Sequence, residues 1–161
     1  KVLRVDSETF LTKVYTAAFR LTGEEEAASN LALLAIPRIA KQFDWQVYQQ
    51  VSSNMLQLSI AEVCKIYISE SKSDSSETFE PSTRIIQKKD HKAVILQSAL
   101  MTLKPLERIT VVWRDILGFQ LAQMAPLASC AKEELYSVLS NARWQLCHQL
   151  KAACLLTIKN D

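Results

Sequence analysis

Apolar residues recur at helical spacing near the start of the chain. Phe10, Val14, Ala17, Ala18 and Leu21 fall on one face, and Ser7 followed by Glu8 predicts the helix start. Gly23 predicts its end. The acidic run Glu24-Glu25-Glu26 suits the positive end of a helix dipole and opens a second helix through Leu31, Leu34 and Ile36. Pro37 is expected to kink or restart it. Trp45, Tyr48, Val51, Met55, Leu58, Val63 and Ile66 predict a third long helix running from 45 toward Ser69, which completes a first bundle.

The stretch 71–90, SKSDSSETFEPSTRIIQKKD, breaks every hydrophobic period and collects Ser, Thr, Asp, Glu and Pro81, the composition of a solvated tether. Beyond it, helices are expected over Ala93–Leu103, Leu106–Leu117, Leu121 to about Leu127, and from Lys132 onward. In the last of these Leu135, Leu139, Ala142 and Leu146 step by four, three and four, so one stripe faces a core and the rest faces outward. Short turns between helices of this kind are the grammar of a helix-turn-helix. The expected organisation is a helical domain over 1–70, a linker over 71–90 and a helix-turn-helix domain over 91–161.

Only two glycines occur in 161 residues, too few for the turns of a many-stranded sheet, so the fold class is all-α, with two small bundles joined by the polar linker. With 48% hydrophobic residues the chain can bury a core. Its longest strictly apolar run, Leu31 to Ile36, is six residues, against the roughly 20 needed to span a bilayer. No membrane partner is expected. Lys1 to Asp6 carry no apolar signal core, which makes the cytoplasm the expected compartment.

Cys64, Cys130, Cys147 and Cys154 stand in apolar helical surroundings without a Cys-x-x-Cys pair, and each reads as a buried small hydrophobe rather than a disulfide partner or zinc ligand. The two histidines, His91 and His148, lie on separate segments, and no Gly-rich phosphate loop or nucleophile elbow is present. No enzymatic activity, metal, cofactor or small-molecule substrate is therefore expected. Residues 1–70 carry seven basic and eight acidic groups, whereas residues 91–161 carry eight and five, so the net charges are −1 and +3. A modestly basic C-terminal half permits phosphate contact without requiring it.

The segment Leu96 to Leu150 resembles the C-terminal domain of extracytoplasmic-function sigma factors of bacterial RNA polymerase. The family pattern Leu-x-x-Ala-Leu-x-x-Leu-Pro-x-x-Glu-Arg appears here as LQSALMTLKPLER, with Lys104 inserted before Pro105 and Glu107-Arg108 at about the family's offset. Downstream, WRDILGFQLAQMAPLASCAKEELYSVLSNARWQL aligns without a gap through Arg114, Asp115, Gly118, Ala125, Ser137, Leu139, Ala142, Arg143 and Leu146. A fainter resemblance to the family's N-terminal domain covers Phe10 to about Ile68, through VYTAAFRLTGEEEAASNL, the Phe-Asp-Trp at 43–45 and Asn54. The two likenesses occur in the family's order.

The resemblance implies a transcription initiation subunit that bridges core RNA polymerase and promoter DNA, with an anti-sigma factor as a further partner. It places Lys132, Tyr136, Ser137, Ser140, Asn141 and Arg143 of the last helix toward the promoter's major groove, where Glu133 and Glu134 would meet phosphates with like charge. Ser129 takes the place of the usual turn glycine, and Pro126 falls inside the short first helix of the motif. Polymerase docking maps to the stretch Asn30-Leu31-Ala32-Leu33-Leu34, with Asn30, Leu31 and Leu34 as candidates, although the family's carboxylates and glutamine are missing there. Promoter melting maps to Trp45, Tyr48 and Asn54, with core packing the stronger expectation for the two aromatics. The lost charges point to an alternative: a degenerate sigma-like protein that binds an anti-sigma factor or another protein and no longer reads promoters.

Overall fold

A computed structural model of the chain describes residues 4–46, 50–73 and 91–158. Helix α1 spans Ser7–Thr22, α2 Glu25–Gln42 and α3 Ser53–Ser73; α4 spans His91–Met101, α5 Pro105–Val111, α6 Ala125–Ala128 and α7 Lys132–Ile158. The fold is all-α apart from a two-stranded ribbon in which β1 (Arg4–Val5) pairs antiparallel with β2 (Val51–Ser52). The linker expected over 71–90 starts inside α3, and residues 74–90 lie outside the described residues.

The N-cap of α1 is Asp6, one residue before the expected Ser7. Its carboxylate accepts the Thr9 amide at 2.8 Å and the Thr9 hydroxyl at 2.7 Å, two bonds that also hold its pKa below the ordinary aspartate value. Gly23 ends the helix as expected, at φ 74. Helix α2 runs unbroken through Pro37, which is exposed, so the carbonyl left without an amide donor on that turn faces solvent.

The third helix begins at Ser53 rather than at 45. Asp44, at φ 47, turns the chain after α2, and the Trp45 amide folds back onto the Ala40 carbonyl at 3.0 Å. Val51 and Ser52 are then taken into the ribbon, and the Ser52 hydroxyl accepts the Met55 amide at 3.2 Å. Strand pairing and a side-chain cap override a helical period that is real only from Ser53 onward.

Pro105 opens α5 at a position where its missing amide costs nothing, and the Glu107 carboxylate accepts the Lys104 amide at 3.0 Å. The expected helix over Leu106–Leu117 then widens into a π-helical turn, Val112–Ile116, closed by Leu117 N–H onto the Val112 carbonyl at 3.0 Å. This turn drives the Trp113 ring into the core, against Phe119 at a centroid distance of 4.9 Å, while its indole N–H donates to the Gln120 carbonyl at 3.0 Å. Leu121–Met124 form a 3-10 turn, and Pro126 lies in the first turn of the four-residue α6. The proline is accommodated by breaking the expected short helix in two. Ser129 ends it in the left-handed region at φ 52, which costs a non-glycine residue roughly 1 kcal/mol.

The buried residues form one continuous hydrophobic core, from Phe10, Val14 and Leu21 through Ile60 and Val63 to Leu100, Ile109, Trp113, Leu135 and Leu139. Arg108 crosses the seam between the two halves while only 7% exposed. Its Nε donates to the Leu100 carbonyl, one Nη to the Leu21 carbonyl and the Tyr67 hydroxyl, and the other Nη to the Met101 and Leu103 carbonyls. All five guanidinium N–H groups are thereby used. Gln97 adds a second polar tie: its amide donates to the Phe19 and Arg20 carbonyls, and its oxygen accepts from Arg20.

Cys64, Cys130 and Cys147 are free thiols. Burial pushes the Cys64 thiol up to about 12, which makes it inert as a nucleophile. Cys147 is exposed, contrary to the expectation that it packs inward, because it falls one residue after the core-facing Leu146. At pH 8, a maleimide reagent is expected to label Cys147 in the native chain, whereas Cys64 should become labelled only after denaturation; peptide mass mapping reads both. Gly23→Ala is expected to lower stability by about 1–2 kcal/mol in urea unfolding, because alanine is strained at positive φ and its Cβ would stand 2.8 Å from the Met101 sulfur. Met101→Ala in the same chain should recover the contact part of that loss but not the backbone part.

Candidate nucleic-acid and protein interfaces

Helix α7 carries the row expected to face a duplex. Leu135, Leu139, Ala142 and Leu146 turn into the core, and this fixes the rotation of the helix so that Lys132, Tyr136, Ser137, Ser140, Asn141 and Arg143 are exposed. The six candidates thus share an outward surface, as the residue pattern requires. Its charge is mixed. Glu133 and Glu134 occupy the first turn beside Lys132, where they favour the helix dipole and oppose phosphate. The Lys132 ammonium lies 5.9 Å from the centroid of the Tyr136 ring. Arg143 makes a bidentate pair with Asp115 of the π turn, its Nε donating at 2.9 Å, and that pairing raises its pKa. Asp115 therefore neutralises a cation that phosphate binding would use.

Two of the three promoter-melting candidates, Trp45 and Asn54, lie among the described residues. Trp45 is half-buried and packs on Phe10 at a centroid distance of 5.4 Å, in line with the expectation of a packing role. Asn54 is exposed in the first turn of α3, and Tyr48 lies outside the described residues.

Of the polymerase-docking candidates, Asn30 and Leu34 are exposed on α2, whereas Leu31 is 3% exposed and belongs to the core. Leu31 must be withdrawn from any docking surface, since it lies on the same inward face of α2 as Ala28 and Ala35. Leu33, 70% exposed, and Leu34, 46% exposed, instead form an apolar patch on the outer face of the helix.

The residue pattern gave no separate signal for two features. Trp144 is 69% exposed on α7, with its ring stacked on His148 at a centroid distance of 5.3 Å. Arg108 was visible only as part of a family motif; its structural role could have been suspected from a lone cation in the apolar setting PLERITVVW. Among the described residues no group of histidine, cysteine, aspartate or glutamate side chains could hold a metal ion, and no helix is long and apolar enough to cross a membrane.

The sequence matches no protein-family profile and no curated protein. A solved structure does match: the co-crystal structure of the sigma factor RpoE in complex with the anti-sigma factor NepR from Bartonella quintana, at 21% sequence identity and a TM-score of 0.64. The match covers 89% of this chain and 93% of that one, so it spans both halves. The chain shares the all-helical fold of that sigma factor.

Proposed function

We propose that the chain is a sigma-factor-like, non-catalytic cytoplasmic regulator that works by binding a helical protein of the anti-sigma type. The observation that carries this reading is the closed arrangement of the two halves around Arg108, in a fold shared with nearly the whole of a sigma factor captured with its anti-sigma factor. Two surface features support it. The outer face of α2 offers Leu33 and Leu34 where the resembling family carries a glutamine and a glutamate, a change that suits an apolar helix and removes a charged partner for polymerase. The outward row of α7 has Glu133 and Glu134 at its start and Arg143 occupied by Asp115. In this reading core RNA polymerase and promoter DNA are not standing partners.

The exposure of the whole α7 row favours a second reading, in which the C-terminal half still reads promoter DNA through Ser140, Asn141 and Arg143. The Arg143 pair separates the two. If the row meets phosphate, Asp115→Asn should free Arg143, raise duplex affinity and steepen the log–log salt slope by about one charge. The protein-binding reading expects no duplex binding to titrate in either protein.

The direct test mixes nuclease-treated chain with anti-sigma proteins from its own genome, with NepR as a reference, and measures mass by size-exclusion chromatography with light scattering. A stable one-to-one complex is expected, and Leu33→Asp with Leu34→Asp should weaken it by about tenfold or more. Retention by core RNA polymerase together with promoter-dependent transcription would overturn the proposal.

A further inference from the structure

Leu135, Leu139, Ala142 and Leu146 set the inward side of α7. At about 100° per residue, the line Glu133, Ser137, Ser140, Trp144, Cys147, Lys151 is centred about 150° away from that side. All six residues are exposed. Their steps of four, three, four, three and four are those of a coiled-coil seam and run for about 27 Å along the helix. Trp144 on this line is 69% exposed, and Tyr136 beside it is 51% exposed.

The steps read the same in both directions, so the line is unchanged when the helix is reversed about its midpoint at the level of Ala142. In an antiparallel pair of α7 helices from two copies, Trp144 stands opposite Ser140, Cys147 opposite Ser137, and Lys151 opposite Glu133, each contact occurring twice. The residue types match at every level. The large indole meets a small serine, and the charges at the ends are opposite. Ser137 asks for no partner, because its hydroxyl turns back onto the Glu133 carbonyl at 3.3 Å. Beside the line, Tyr136 stands opposite His148, whose ring is stacked on Trp144 at a centroid distance of 5.3 Å. A parallel pair would set Glu133 against Glu133 and Lys151 against Lys151, which repels at both ends. A duplex would meet Glu133 with like charge, whereas a second copy meets it with an ammonium.

We propose that the outward face of α7 is a self-association surface on which two copies of the chain pair antiparallel about a two-fold axis at the level of Ala142. The inference concerns a different surface from the α2 patch and stands whether or not that patch binds a partner. Cys147, open to reagents in the single chain, is covered in the pair.

Sedimentation equilibrium of the full chain up to about 100 μM tests it, with twice the mass of the chain expected at the upper end. Trp144→Ala should weaken the pairing by about tenfold or more with helix content unchanged, since the ring lies outside the core. Glu133→Lys and Lys151→Glu should each weaken it severalfold and restore it when combined, because the reversed pair again attracts. The arrangement is read with Ser137→Cys in the presence of oxidised glutathione, which should link position 137 of one copy to position 147 of the other, as peptide mass mapping identifies. The two Cys147 residues of the pair stand about 15 Å apart along the axis and should not join to each other. A chain that stays monomeric throughout would overturn the pairing, as would a dimer indifferent to Trp144→Ala or to the charge reversals. A dimer in which oxidation joins Cys147 to Cys147, or leaves positions 137 and 147 unlinked, would overturn the antiparallel arrangement.

Discussion

A guanidinium buried at the seam, with no carboxylate among its described partners, is the polar group around which the two halves meet. Removing a charge from water is tolerated only when every donor finds an acceptor, and Arg108 meets that condition with four backbone carbonyls and one hydroxyl. Leu21 lies in the last turn of α1, and Leu100 and Met101 lie in that of α4, so two negative helix ends converge on the cation. Burial lowers the Arg108 pKa and Tyr67 acts in the opposite sense, but arginine remains charged at any physiological pH. The apolar core draws the helices together, and the meeting of α1 with α4, which also brings Met101 to Gly23, places the acceptors that satisfy this one group.

The helices most legible in the residue pattern are those whose rotation is set by an uninterrupted apolar stripe. Phe10 to Leu21 and Leu135 to Leu146 fall where periodicity puts them because nothing local competes with it. The reading fails where a local bond outranks the period. Trp45 keeps its packing role but not its helix, because β2 and the Ser52 cap claim the residues that would have extended α3 backward. The π turn was equally hidden, since the apolar spacing of Ile109, Val112 and Trp113 is compatible with either winding and only the hydrogen bonds decide. Ser129 and Pro126 were legible as trouble. The positive φ and the divided helix are the forms that trouble takes.

The interfaces were legible as faces and illegible as energetics. Periodicity turned Tyr136, Ser140 and Asn141 away from the core and the family resemblance completed the row from Lys132 to Arg143, but neither carried a sign that Asp115 is in reach of Arg143, because that pairing depends on how the π turn meets α7. On α2, counting by three and then four would have shown Leu31 in line with Ala28 and Ala35, whereas a motif carried over as a block treats all its positions as surface. The fold shared with a sigma factor thus comes with outer faces on α2 and α7 that depart from the pattern of the family the sequence resembles.

The wide turn at Val112–Ile116 also acts as a phase setter. An α-helix advances about 100° per residue, so a stretch holding one residue more than a regular helix shifts the angular position of everything after it relative to everything before. Upstream lies Arg108, aimed at its cradle of oxygens; within the turn itself lie Trp113, seated under Phe119, and Asp115, turned to α7. Shortening this stretch by one residue would give a more regular helix and a worse protein, because both ends could not face their partners at once.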